Sequence, residues 1–173
     1  MREIEWKILS ELMKNSRLSD RELAKKIGSS QPTVTRTRRR LEKEGYIREY
    51  TVVPDFAKIG YKILAMTFAL SRALNKEEAE RARKLLADSV KNKQFEFIML
   101  EKGRGLGFDA VIISLHEDYS SYLNVLKWLE QFDFVEVTRT DSFLINLADE
   151  VRYRPLTLSS LAKHILTKGE KKE

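Results

Sequence analysis

Ile4, Ile8, Leu9 and Leu12 recur at the three- and four-residue steps of a helix and predict an amphipathic helix over Glu3–Lys14. Asn15, Ser16 and Arg17 interrupt it. Ser19 then stands three residues before Glu22, a capping box that opens a second helix with Leu23, Ala24 and Ile27 on one face. Gly28 stops that helix, and Pro32 falls in the first turn of a third, where its missing N–H costs nothing. Val34 and Leu41, one heptad apart, mark the inward side of the third helix, which ends near Gly45. Two helices joined by a short turn containing glycine make a helix-turn-helix.

Beyond Gly45 the periodicity changes. Tyr46–Val53 is β-prone and ends at Pro54, which predicts a strand, the wing, followed by a linker over Asp55–Gly60. The order after that is a strand over Tyr61–Leu70, a helix over Lys76–Val90, strands over Phe95–Glu101 and Phe108–Leu115 flanking a glycine-rich hairpin, a helix over Tyr119–Phe132, and a strand over Phe134–Leu147. β-α-β-β-α-β is the ferredoxin-like pattern. Leu158, Leu161, Ala162 and Ile165 form one more helical stripe, with Thr157 placed to cap it, and the tail KGEKKE reads as unstructured. The expected fold is therefore α+β: an N-terminal winged helix-turn-helix, then a ferredoxin-like βαββαβ domain with a C-terminal helical extension. The domain boundaries follow as 1–53 for the helix-turn-helix and its strand, 54–60 for the linker, 61–150 for the ferredoxin-like domain, and 151–173 for the C-terminal helix and tail.

Composition narrows the function. With 42% hydrophobic and 34% charged residues, the 173-residue chain reads as globular. No run approaches the ~18 apolar residues of a membrane span. The N-terminal MREIEWKILS has acids where a secretory signal would be apolar, so no membrane association and a cytoplasmic location are expected. There is no cysteine, and the two histidines, His116 and His164, lack metal-site spacing, so neither an enzyme nor a cofactor is expected.

Charge then singles out the first third. Residues 1–60 hold 14 Lys and Arg against 9 Asp and Glu, whereas residues 61–173 hold 18 against 17. A basic small domain beside a near-neutral larger one suggests a polyanion reader joined to something else. Turning about 100° per residue from Val34 brings Arg36, Arg39 and Lys43 nearly opposite the core, with Thr33 and Arg40 beside them. Such a face suits a major groove, where Arg bonds guanine through two hydrogen bonds, Thr meets a thymine methyl and Gln pairs with adenine. Gln31, Thr33, Thr35, Arg36, Arg39 and Arg40 are therefore the expected contacts to double-stranded DNA. A merely solvated helix face laced with Arg–Glu pairs is the competing reading, and the preceding turn, the cap and the charge asymmetry weigh against it. Arg38, about 40° from the core direction, is expected to pack its stem and extend its head.

The run RLSDRELAKKIGSSQPTVTRTRRRLEKEGYIREYTVVPDFAKIGY resembles the winged helix-turn-helix and linker of the leucine-responsive regulator/asparagine-C (Lrp/AsnC) family. The likeness includes Gly45, Ile47 and Tyr50 in LEKEGYIREY, and Asp55 and Gly60 in DFAKIGY. It implies a transcription regulator whose second domain mediates homodimer or higher assembly and binds an amino-acid effector. In that reading the backbone donors of Gly105 and Gly107 receive the effector carboxylate, and Asp109 receives its ammonium. The chain departs from the family pattern at Arg38, usually apolar, and in GRGLGFDAV, where glycines straddle the usual place. Two other readings of this architecture are a tetrapyrrole decarboxylase, as in the siroheme decarboxylases, and an architectural protein with little sequence preference. The first wants His or Arg lining a second-domain pocket, and neither histidine lies in the hairpin.

Overall fold

Three helices open the chain because each has its ends fixed by neighbouring residues. In α1 (Glu3–Lys14) the Glu5 carboxylate reaches back to accept from the Arg2 backbone N–H at 2.9 Å. In α2 (Asp20–Ile27) the Ser19 hydroxyl accepts from the Glu22 N–H while the Glu22 carboxylate accepts from the Ser19 N–H, the reciprocal box expected from their spacing. Gly28 ends α2 at φ 69°, a left-handed conformation that favours glycine. α3 (Gln31–Lys43) starts from Ser30, whose hydroxyl accepts from the Thr33 N–H.

The computed structural model describes residues 1–71, 75–91, 95–131, 137–150 and 155–170. They fall into two units, Met1–Pro54 together with Tyr153–Glu173, and Asp55–Arg152. The core of the first unit is Ile8, Leu12, Leu18, Leu23, Ala24, Val34 and Leu41, with Ile4, Leu9, Ile27 and Ile47 packed around it. Burying each of the larger side chains contributes about 1.5–3 kcal/mol. The hydrophobic stripes predicted for α1, α2 and α3 thus converge on one cluster.

The expected strand over Tyr46–Val53 carries no β-ladder. A strand is defined by its neighbour, and every ladder among the described residues belongs to the second unit. The segment is anchored differently: Tyr46 and Ile47 donate their N–H groups to the Leu41 carbonyl, and the Ser16 hydroxyl donates to the Thr51 carbonyl at 3.1 Å.

The second unit runs β1 (Ile63–Ser71), α4 (Lys76–Lys91), β2 (Glu96–Gly105), β3 (Phe108–His116), α5 (Tyr119–Glu130) and β4 (Val137–Asn146). The sheet order is β2-β3-β1-β4 and every pairing is antiparallel, as a ferredoxin-like domain requires. The ends of the expected α5 and β4 fall on residues 132–136, outside the described residues. Thr67 lies opposite Ile112 on one side and Ser142 on the other, and the Ser142 hydroxyl bonds the Thr67 hydroxyl at 3.0 Å. That side of the sheet packs Ile112 against Val125, Trp128 and Leu129 of α5, with Phe97 and Leu100 beside them. α5 itself starts at Asp118, whose carboxylate accepts from the Ser121 N–H at 2.8 Å. The alternate residues Leu64, Met66, Phe68, Val111 and Ile113 point to the other side. With them lies Phe143, 64% exposed.

β2 continues past the expected end at Glu101 as far as Gly105, which pairs with Phe108. The hairpin is therefore a two-residue turn, Leu106 and Gly107, with φ 54° and 81°. Positive φ at both central residues is the hairpin geometry that matches strand twist.

α6 (Leu161–Glu170) returns the chain to the first unit and packs on α1. It begins three residues later than Leu158 and carries the supposedly unstructured tail in helical form to Glu170. Thr157 does not cap it; the Thr157 hydroxyl accepts instead from the Ser159 N–H. No helix among the described residues is long and apolar enough to cross a membrane.

Candidate nucleic-acid interface

α3 turns Val34, Thr37 and Leu41 into the core and leaves Gln31, Arg36, Arg39 and Lys43 exposed. Among the described residues these four side chains have no hydrogen-bond or ion-pair partner. Gln31, Thr35, Arg36 and Arg39 line one shallow depression with Pro32. A second depression brings Gln31, Thr35 and Arg39 together with Arg21 of α2. Arg21 had no periodic signal in the sequence, because its relevance comes only from the crossing of α2 over the start of α3.

The flanks of α3 differ from this outer strip. Thr33 shares a 2.8 Å hydrogen bond with the capping hydroxyl of Ser30. Thr35, on the α2 side, donates its hydroxyl proton to Asp20 Oδ2 at 2.7 Å. Arg40, expected beside the DNA-facing strip, turns its guanidinium toward α1 and pairs with Glu5. A long arginine stem reaches a buried carboxylate more profitably than water, and Glu5 is only 3% exposed. Burial alone would raise the Glu5 pKa, but the hydrogen bonds from Arg2 and the charges of Arg40 and Arg2 outweigh it and hold the carboxyl below its usual range.

Arg38 makes the densest set of bonds on the helix. Its Nη1 donates to Asp20 Oδ1 at 3.1 Å and to the Leu18 carbonyl at 3.3 Å. Its Nε donates to Glu42 and, at 2.8 Å, to the Tyr50 hydroxyl, and the Tyr50 hydroxyl donates in turn to Glu42 at 2.6 Å. The guanidinium therefore joins α2, α3 and the segment after α3, instead of extending into solvent. Burial works to lower the Arg38 pKa, yet Tyr50 and Asp20 together raise it. Of the residues that carried the family likeness, Gly45 supplies a left-handed φ of 75°, Ile47 seals the core and Tyr50 closes this cluster.

In the second unit, Gly105, Gly107 and Asp109 surround the β2–β3 turn. Gly105 takes part in the ladder, Gly107 supplies the positive φ, and Asp109 is half-buried at the start of β3. A Cβ added at Gly105 or Gly107 would meet nothing within 4 Å, so the turn is open to an approaching group. His116 is buried with its Nε2 at 2.8 Å from the Ser114 hydroxyl and its ring against Tyr122; burial lowers its pKa, with Asp118 partly opposing. Among the described residues no group of three or more His, Cys, Asp or Glu side chains is placed to hold a metal ion.

Comparison with known proteins agrees with this geometry. A family model described as winged helix-turn-helix DNA-binding matches residues 1–48. The chain is 46% identical over 61 residues to the HTH-type transcriptional regulator LrpC of Bacillus subtilis, a match covering 35% of this chain and 42% of that one. An uncharacterized HTH-type transcriptional regulator of Pyrococcus abyssi is 26% identical over 153 residues, covering 88% of this chain and 98% of the relative. Among solved structures, an AsnC family transcriptional regulator from Agrobacterium tumefaciens superposes with a TM-score of 0.71 at 21% identity, over 93% of this chain and 99% of the other. A transcriptional regulator from Neisseria meningitidis in complex with L-Met gives a TM-score of 0.71 at 22% identity, over 92% and 95%. At such identities the structures establish a shared fold.

Proposed function

As the chain belongs to the Lrp/AsnC family of transcription regulators, we propose that it reads duplex DNA through the outer strip of α3, with Gln31, Arg36 and Arg39 as the groups that reach bases or phosphates. The observation that carries this is their lack of any partner within the described protein. Docking them on DNA breaks no internal bond, and a guanidinium matches the paired acceptors of guanine or two phosphate oxygens. Arg21 and Lys43 extend the same positive strip. Thr33 and Thr35 flank it, and Arg40 supports it from the α1 side.

Selection of bound duplexes from a random pool tests this reading. The expected result is an enriched motif whose affinity falls with salt at a log–log slope of about −0.9 per phosphate contacted. Equal enrichment of all sequences would refute specific reading and leave only non-specific DNA compaction.

We also propose a homodimer or larger homo-oligomer built on the open side of the sheet. Leu64, Met66, Phe68, Val111, Ile113 and Phe143 form a contiguous apolar surface there, which a second copy would remove from water. A two-fold pair of α3 helices would then read half-sites centred about 10 base pairs, or a multiple, apart. Sedimentation of the native chain and of Phe143→Asp is the measurement; a monomer in the native protein would sink the proposal.

The Neisseria structure holds L-Met, and by extension a small amino acid is the proposed effector here, with Gly105, Gly107 and Asp109 as its candidate site. It would act by favouring one arrangement of subunits or domains, with a coupling of about 1–3 kcal/mol. Calorimetric titration with the twenty amino acids, repeated on Asp109→Ala for any that bind, decides whether such a site exists. As a reader of chromosomal DNA, the protein is assigned to the cytoplasm.

A further inference from the structure

Resting on the reading of α3 as the DNA-facing helix, we propose that Asp20 is a specificity-setting positioning residue: it holds the Thr35 hydroxyl proton away from DNA, so that Thr35 reads a base through its methyl group.

Asp20 is the first residue of α2, and its two carboxylate oxygens serve different partners. Oδ1 receives Nη1 of Arg38 at 3.1 Å, and Oδ2 receives the Thr35 hydroxyl at 2.7 Å. The Arg38 guanidinium is itself fixed by the Leu18 carbonyl, Glu42 and Tyr50, so the carboxylate has one orientation in which both of its bonds are made. Asp20 and Arg38 are only 24% and 22% exposed, which limits competition from water. The position is thus pinned from two elements besides its own.

A threonine hydroxyl has one proton to donate. With that proton committed to a carboxylate, Thr35 has no donor for guanine O6 or N7, adenine N7 or thymine O4. What remains is the methyl group and the oxygen lone pairs. Thr35 borders the same depression as Gln31, Arg36 and Arg39, so a base edge that meets those residues meets Thr35 too. The thymine methyl is the apolar group that a major groove presents, and contact with a threonine methyl is a recognised way to read it. Asp20 therefore influences the sequence read without touching DNA. Arg38 contributes by holding Asp20.

Motif selection with the full-length protein and four single variants tests the assignment. Thr35→Val keeps a methyl in place and loses the hydroxyl; it is expected to retain the native motif. Thr35→Ser keeps the hydroxyl and its bond to Asp20 but loses the methyl, and preference at one position is expected to drop by at least about fivefold. Asp20→Ala and Asp20→Asn release or weaken the hydroxyl, and should change the base preferred at that same position while the salt slope stays that of the native protein. Loss of one position in Thr35→Val but not in Thr35→Ser would show that the hydroxyl reads the base, and would overturn the proposal. So would an unchanged motif in both Asp20 variants, or a uniform loss of affinity at all positions, which is the signature of a structural role alone. A native chain that enriches no motif would instead defeat the reading of α3 on which the assignment rests.

Discussion

The Ser10 hydroxyl of α1 donates a 2.8 Å hydrogen bond to the carbonyl of Ala162 in α6, a buried contact between residues 152 positions apart. Ala162 has no exposed surface, and Ser10 has none either. α6 is therefore part of the packing of the first unit. Ser10→Ala is expected to destabilise that unit by about 0.5–1.5 kcal/mol, because the Ala162 carbonyl keeps the surroundings of a helix while losing its extra donor. Removing residues 157–173 should cost more, since it uncovers the α1 surface as well. Thermal melts followed through Trp6 would show both effects; a truncated chain that melts at the native temperature would contradict them.

Arg36 and Arg40 should separate binding from folding. Arg36→Ala, and likewise Arg39→Ala, is expected to weaken DNA binding by ~1–3 kcal/mol with little change in melting temperature. Arg40→Ala should do the reverse, because it deprives the buried Glu5 carboxylate of its partner from α3. Loss of a hydrogen bond to a charged group costs about 1.5–3 kcal/mol, reduced here by the Arg2 bonds that remain. Anisotropy with labelled duplex and a thermal melt on the same samples give the two readings. Equal behaviour of Arg36→Ala and Arg40→Ala in both assays would reject the distinction.

Acid should destabilise the two units in different pH windows. Burial lowers the folded pKa of His116 below its ordinary 6.5. On acidification the unfolded imidazole protonates first, so stability falls once the pH drops below that value and levels off after the folded His116 is also charged. Glu5 behaves alike further down: its folded pKa lies below the ordinary 4.5, so its contribution is complete above that value and is lost as pH falls through the folded one. His116→Gln should flatten the upper part of the acid limb, read through Trp128, and Glu5→Gln the lower part, read through Trp6. An acid limb unaltered by either substitution would show that other groups govern it.

Leu106 occupies the left-handed region at φ 54°, is 81% exposed, and precedes Gly107 in a two-residue turn. Leucine bears a steric penalty of about 1–2 kcal/mol there, which asparagine largely avoids. Leu106→Asn should therefore raise the melting temperature of the second unit by a few degrees. A fall in melting temperature would mean that the leucine makes contacts that outweigh its strain.

The elements that depend on nearby residues were legible in the sequence, and those that depend on distant ones were not. Ser19 with Glu22, Gly28 and Pro32 announce the ends of α2 and α3, because caps are local chemistry. The apolar runs of β1 and β3 were equally readable. Tyr46–Val53 has strand composition but no ladder, since composition says nothing about whether a neighbouring strand is present. Lys102–Gly105 has poor strand composition and yet belongs to β2, because β3 supplies its partner. Helical angles placed Arg36 and Arg39 on the outer strip. They could not foresee that Arg40 bends toward Glu5, or that the head of Arg38 is taken up by Asp20 and Tyr50.

The first unit is assembled from the two ends of the chain, with residues 55–152 intervening. On a ribosome, Ser10 emerges 152 residues before Ala162, an interval of roughly 8–30 s at about 5–20 residues per second. For most of that interval the first three helices exist without α6, and the sheet domain has time to form before the unit that preceded it is finished. The unit begun first is thus completed last. A message cut short between codons 54 and 161 yields a nascent regulator whose DNA-binding unit lacks its closing helix.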